Sequence, residues 1–549
     1  MSRAVAAPGG ATSRPAAGRG GPLTGTRHLA RLILRRDRVL LPIWVLVIAA
    51  LPASYAATYA ELYPTAAQRA EYLATTAGNP SVEALLGPAY GDSVGALAAQ
   101  RAGLLHLIVG LISLLVVVRH TRTEEEAGRR ELLGATVLGR AAPLAAALLV
   151  TYAADLLLGL LVAGGLVATD LPAAGSVAFG LSVTLAGMFF ATVGALAAQL
   201  TESAGAARGL GLAALGVAYL VRLAGDAGGV EWLSRLSPLG LAQRTHPYTS
   251  ERWWPLAVLA GLTALVGALA SRLAARRDLG AGVLPQRLGP ATAGAALAGP
   301  LGLAWRLNRV ALIGWTVGAA ALGAVLGGAA EAAGGAVEGN EAVARLMERL
   351  GGSTSVAEAY LGATLSITAL AAAGYGIQAA LRMRAEETAQ RAEPVLATGV
   401  SRSRWLLGHL AFALLGPAVV LVVTGLATGL AYGLSTGDVA GRVPRLTGAA
   451  LAHVPAVWVL VGVAVLLFGL LPRVSVGVAW ATLAACLLLG QLGAVLELSQ
   501  WLLDLSPFTH TPQVLGGPVP RTPLLALTAV AAALSAAGLL AFRRRDLPS

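Results

Sequence analysis

Apolar and polar positions in this chain fall in long blocks, not at the short periods of a soluble core. Runs such as GLLHLIVGLISLLVVV (103–118) and HVPAVWVLVGVAVLLFGLLP (453–472) approach or reach the ~20 residues a helix needs to cross a bilayer. Apolar windows give twelve candidate spans: 39–58, 102–118, 142–167, 174–199, 207–224 and 254–274, then 310–330, 362–381, 405–432, 446–471, 475–496 and 523–542. A membrane β-barrel would show ~10-residue alternating segments, and none are visible. The pattern predicts an all-α polytopic membrane protein of about twelve transmembrane helices.

The blocks also repeat. RVLLPIW (38–44) matches RVALIGW (309–315), WLSRLSP (232–238) matches WLLDLSP (501–507), and RRDL stands at both 276–279 and 544–547. RTEEEAGRRELLGATVLGR (122–140) aligns without gaps on RAEETAQRAEPVLATGVSR (384–402), with nine identities in 19 positions. Matches in the same order at nearly one spacing indicate duplication. Six spans per copy give two parallel six-helix repeats, related by an axis along the membrane normal. The expected organisation is a disordered tail (1–26), a first half (27–278), a Gly/Ala/Pro-rich linker (279–304) and a second half (305–549).

Composition sharpens the picture. The chain is 56% hydrophobic and only 12% charged, with a net charge of +12, and its mean hydropathy is +0.71, too apolar for a soluble domain. All 40 basic residues are arginine. Arginines gather at the N-terminal side of the first span (Arg31, Arg35, Arg36, Arg38) and after the last (Arg543, Arg544, Arg545), which places both termini in the cytoplasm. The protein is thus expected in the bacterial plasma membrane, multi-pass, with the lipid bilayer as its main surroundings. Charge explained by topology leaves no reason to expect nucleic acid. RHLARLILRR (27–36) reads as a short amphipathic helix on the cytoplasmic surface. The single Cys486 rules out an intrachain disulfide and a thiolate metal site.

The segments at 122–140 and 384–402 then become the features to explain, because both fall between the second and third spans of their halves. Glu125 with Arg129, Glu126 with Arg130, and Glu387 with Arg391 have i,i+4 spacing, which supports a helix in each copy. Pro394 is expected to stop the second helix near Glu393. Orientation alone requires only arginine, so retained glutamates point to matched docking sites for a partner with two similar subunits.

These residues carry a resemblance. The order Glu126, Gly128, Arg129, Glu131, Leu133, Ala135, Thr136 and Arg140 resembles the intracellular segment of type-2 ABC exporter permeases, usually E-x-G-T-x-E-x-L-x-A-T-P-x-x-R. Arg129 replaces the usual Thr and Val137 the usual Pro; in the second copy Gln390 replaces Gly and Gly399 stands at the Pro position. The resemblance implies coupling helices at 122–135 and 384–393 that dock on an ATPase. It assigns ATPase coupling to Arg122, Glu124, Glu125, Glu126, Arg129, Glu131, Arg140, Arg384, Glu386, Glu387, Arg391, Glu393 and Arg402. In layout the chain is similar to actinobacterial exporters of polyketide antibiotics, the tetronasin-resistance type.

A P-loop requires a lysine, and a chain without lysine has none. No nucleotide-dependent catalytic residue or resident cofactor is therefore expected. ATP and Mg would sit on a separate ABC ATPase subunit, in two copies, and the cargo would be a small hydrophobic or amphipathic compound. In the spans, Asp155, His106 and His453 are candidates for the substrate pathway, against plain roles as hydrogen-bonded packing residues. No metal-ligand spacing or Ser–His–Asp cluster stands out. Two alternatives remain open: a proton-coupled, twelve-span efflux protein of the major-facilitator type, and a lipid exporter or membrane scaffold. Long first external loops and scarce pathway carboxylates speak against the former.

Overall fold

The computed structural model describes residues 21–74, 80–129, 138–227, 229–278, 280–284, 291–292, 294, 297, 299–330, 356–492, 499–511 and 521–546. It divides into two compact units, the first comprising residues to 73 and 83–288, the second 289 onward with 74–82. Every regular element described is helical. In the first unit the helices are α1 (Thr26–Arg36), α2 (Leu40–Leu62), α3 (Val94–Glu126), α4 (Ala142–Val167), α5 (Ala173–Leu200), α6 (Ala204–Ala227) and α7 (Trp254–Arg276). In the second they are α8 (Pro300–Gly328), α9 (Val356–Thr388), α10 (Arg402–Thr436), α11 (Val439–Leu470), α12 (Ser475–Leu492) and α13 (Arg521–Arg544). Eleven helices among the described residues are long and apolar enough to cross a membrane, and α12 is a shorter apolar helix.

Composition explains how these helices pack. In α4 and α5, a Cβ on Gly180 would lie 2.4 Å from the Gly159 carbonyl oxygen, and in α11 and α13 a Cβ on Gly469 would lie 2.4 Å from that of Gly538. Only glycine permits such backbone approach, which supplies dispersion contact where lipid offers no hydrophobic drive. Large side chains fill the remaining space: Leu114, Phe190 and Leu259 in the first unit, and Tyr375, Trp405 and Phe468 in the second. The outer faces are apolar too. Leu265, Val310 and Leu525 are each at least 66% exposed, an arrangement stable against lipid and costly against water. The chain is a multi-pass, all-α membrane protein.

Several boundaries differ from the sequence reading. The tail expected to be disordered to residue 26 is pinned from residue 21, with Gly139 N–H donating to the Thr24 carbonyl at 2.9 Å and Ala141 N–H to that of Pro22 at 3.0 Å. The linker expected to run to 304 ends by residue 299, because Pro300 starts α8, where a first-turn proline sacrifices no helical hydrogen bond. In the second copy the helix breaks at Thr388, before Glu393. Pro394 does not stop a helix; it sits in the first turn of a new one, Ala392–Ala397. Within the predicted coupling helix 122–135, α3 ends at Glu126, a turn follows at 127–128 and Arg129 is helical again, while residues 130–137, Glu131 among them, lie outside the described residues. The loops at 331–355 lie outside them as well.

Candidate functional site

In the first unit α3 continues past its apolar run through a widened, π-type stretch at Arg119–Thr123 and stops at Glu126. This carries the charged segment rigidly off the span. Arg122 is only 1% exposed as a side chain. Its Nε donates to the Glu202 carbonyl (2.9 Å), Nη2 to that of Gly280 (2.9 Å) and Nη1 to that of Ala281 (3.2 Å), and Nη1 lies 3.1 Å from Glu125 Oε2. Glu125, 4% exposed, accepts both terminal nitrogens of Arg277 at 2.8 and 2.6 Å and the Gly280 N–H at 2.7 Å. A carboxylate buried this way is stable because opposite charge and several donors replace its water. Arg277 directly follows α7, so Glu125 ties the charged segment to the end of the unit's last span.

Each neighbouring glutamate has its own task. Glu126 Oε2 accepts the Ala204 N–H at 2.8 Å, satisfying one of the orphan donors at the start of α6. Glu124 takes two hydrogen bonds from Arg129, at 2.7 and 3.0 Å, and one from Arg36 of α1 at 2.5 Å. Arg140 donates to the Arg277 carbonyl and lies 3.7 Å from Asp278.

The second unit repeats the core of this pattern on its own residues. Arg384 Nη1 lies 3.3 Å from Glu387 Oε2, and Arg545, just after α13, lies 2.8 Å from Glu387 Oε1. Glu386 pairs with Arg382 (3.1 Å) and Arg391 (3.0 Å). Arg402 donates to the Arg545 carbonyl at 2.5 Å. Glu393 is exposed.

The expected i,i+4 pairs of Glu125 with Arg129 and Glu387 with Arg391 do not form. Gly128 has φ +69° and Gln390 φ +55°, so a left-handed residue breaks the helix in each copy. The arginine beyond the break folds back on the glutamate five residues earlier, Glu124 or Glu386. That frees Glu125 and Glu387 to face the last span. Several of the predicted docking residues, Arg122, Glu125, Glu386 and Glu387 among them, therefore point inward, while Glu126, Arg129, Arg140, Arg391 and Glu393 are exposed.

Sequence reasoning missed Arg277 and Arg545, although RRDL repeats in both halves; the motif served only to register the duplication. The carbonyls of Glu202, Gly280 and Ala281 left no sequence signal. Asp37 was missed as well: it lies 2.6 Å from His120 and 3.2 Å from Arg119.

The span residues proposed for a substrate pathway are all buried. Asp155 accepts a hydrogen bond from Ser113 at 2.7 Å, and a Cβ on Gly187 would lie 2.7 Å from its carboxyl group. His106 bonds the Gly103 carbonyl (3.0 Å) and Ser182 (2.8 Å) and lines a small pocket with Tyr90, Gln100 and Gln243. His453 bonds the Ala449 carbonyl (3.0 Å) and Ser366 (3.3 Å). In the first unit, short helices Glu231–Leu236 and Pro238–Gln243 precede α7. Ser234 and Arg244 reach Asp226 at 2.6 and 3.3 Å, and Ser237 reaches the Ala218 carbonyl at 2.6 Å. Arg222 is fully buried over the Tyr219 ring. In the loop that follows, His246 stacks on Tyr90 with ring centroids 3.7 Å apart, and burial depresses its pKa to about 4.

The chain is similar to known proteins over nearly its whole length. It is 44% identical over 530 residues, covering 96% of each chain, to the "Multidrug efflux system permease protein Rv1217c" of Mycobacterium tuberculosis (strain ATCC 25618 / H37Rv). Residues 297–543 match the family "Multidrug efflux system permease Rv1217c, C-terminal domain". With its membrane-spanning helices and a buried charge cluster at one end of each unit, the chain belongs to this family of multidrug efflux system permeases.

Proposed function

We propose that this permease is the membrane half of an ATP-driven, type-2 ABC exporter, moving hydrophobic or amphipathic compounds such as polyketide antibiotics and other drugs outward. A separate ATPase binds ATP and Mg and hydrolyses the nucleotide, one copy under each charged segment, with both termini of the permease in the cytoplasm. The observation that carries this reading is the matched bonding of the two segments: in each unit a glutamate of the charged segment is locked to an arginine at the end of that unit's last span. Two units arising from one duplicated pattern form the two parallel repeats. A push on either segment would pass into the last span through a buried ion pair, which transmits displacement because its partners have no water to exchange with.

Docking falls to the residues left on the surface, Glu126, Arg129, Arg140, Arg391 and Glu393, and to Glu131. The test is co-purification with candidate ATPases and drug-stimulated ATP hydrolysis in proteoliposomes. Charge reversal at Glu131 together with Glu393 should detach or uncouple the ATPase. Efflux that survives both reversals and runs on a proton gradient alone would replace this reading with the major-facilitator one.

A further inference from the structure

We propose that the first unit carries a binding site for an anionic phospholipid of the leaflet beside α1, with one acyl chain in a cleft under that helix and the phosphate on its arginines. The orientation proposed above is needed only to name that leaflet as the cytoplasmic one.

The helix TRHLARLILRR has no acidic residue. Ala30 and Ile33 seat it on Ala146, Ala147 and Val150 of α4, and the hydrogen bonds of residues 22 and 24 to 139–141 pin its approach. Beside this seat, Leu29, Leu32, Ile33, Leu138 and Pro143 wall an open cleft, with Arg36, His120, Thr121 and the Arg36-paired Glu124 at its polar end. The cleft is mostly apolar, as small-molecule sites are.

Charge selects the occupant. Asp37 is held by His120 and Arg119, and Arg36 by Glu124. Arg27, Arg31, Arg35 and Arg38 are exposed, and none forms an ion pair among the described residues. Arg27, Arg31 and Arg35 recur at i,i+4 on one helix face, adjoining the Leu29, Leu32 and Ile33 row. A row of cations beside an apolar cleft, at the start of span α2, matches a molecule with a phosphate head and a hydrocarbon tail. Among the described residues the second unit has no counterpart, since α8 starts at Pro300 and runs without a break into its span.

The experiment needs no ATPase, so its failure is separable from failure of the proposed function. The full chain, in phosphatidylcholine nanodiscs, is photolabelled with a phosphatidylglycerol probe and the label mapped by mass spectrometry. Label should concentrate in 27–36 and 138–143, and be displaced by phosphatidylglycerol. Arg31→Ala with Arg35→Ala should weaken labelling by roughly fivefold per arginine, with the unfolding midpoint unchanged. Leu29→Trp should exclude the tail while leaving the charge. The proposal is overturned by label spread evenly over the apolar belt, by equal competition from phosphatidylcholine or inorganic phosphate, by tighter competition from a drug, or by labelling indifferent to the variants.

Discussion

In the first unit Glu125 gathers hydrogen bonds from Arg277 and the Gly280 N–H and faces Arg122, while carbonyls of three other residues close around Arg122. In the second, Glu387 faces Arg384 and Arg545, and Arg384 keeps 20% of its side chain exposed. The charged residues are the same in type and order. What differs is the backbone around them. After α7 the chain turns back, so that Val283 and Leu284 donate to the carbonyls of Gln199 and Leu200 at 3.1 and 2.9 Å; this return brings Gly280 and Ala281 onto Arg122. In the second unit Arg545 lies over the Phe468 and Phe542 rings instead, 5.1 and 5.6 Å from their centroids. One duplicated motif thus makes a latch closed by backbone in one unit and by aromatic faces in the other.

The largest expected effect comes from breaking the closed latch. Arg122→Ala strips a buried carboxylate of one partner and leaves three carbonyls without their donor, costing about 3–5 kcal/mol. Arg384→Ala, at a partly exposed pair, costs about 1 kcal/mol. Denaturant unfolding of the two variants in nanodiscs measures both, and equal losses would erase the distinction between the latches.

Next in size is the coupling between partners. Glu125→Arg and Arg277→Glu each leave a buried charge facing its like, whereas the double swap recovers about 1–3 kcal/mol of the summed loss. The same swap at Glu387 and Arg545 recovers less, because the aromatic contact of Arg545 is lost with the arginine. A double-mutant cycle in each unit gives the two interaction energies directly.

The helix breaks give effects of opposite sign. Gly128→Ala puts a Cβ at φ +69° and destabilises by about 1 kcal/mol, while Gln390→Gly relieves a side chain held at φ +55° and stabilises by up to about 1 kcal/mol. Unfolding midpoints that move in the same direction would show that the two breaks are not equivalent. The smallest effect is that of salt: raising ionic strength should shrink the cost of Arg384→Ala by a few tenths of a kcal/mol and leave that of Arg122→Ala unchanged, since buried charges are little screened.

Much of this was legible beforehand for a physical reason. A span needs ~20 apolar residues, so the span predicted at 142–167 coincides with α4, and that at 254–274 lies within α7. The two charged segments were found from their shared residues. What the segments do with those charges was not legible. The i,i+4 rule assumes an unbroken helix, and Gly128 and Gln390 break it. Gly128 could have flagged this, as glycine favours positive φ; Gln390 could not.

The sequence by itself determined the spans, the repeated segments and the absence of a P-loop, because apolar length and the lack of lysine are properties of composition and order. Only the tertiary structure decided which arginine meets which glutamate. Arg277 stands 152 positions from Glu125 and Arg545 stands 158 from Glu387, and no local periodicity reaches so far. The partners are brought together by the packing of apolar helices, and burial then turns an ordinary surface charge into one that must be matched.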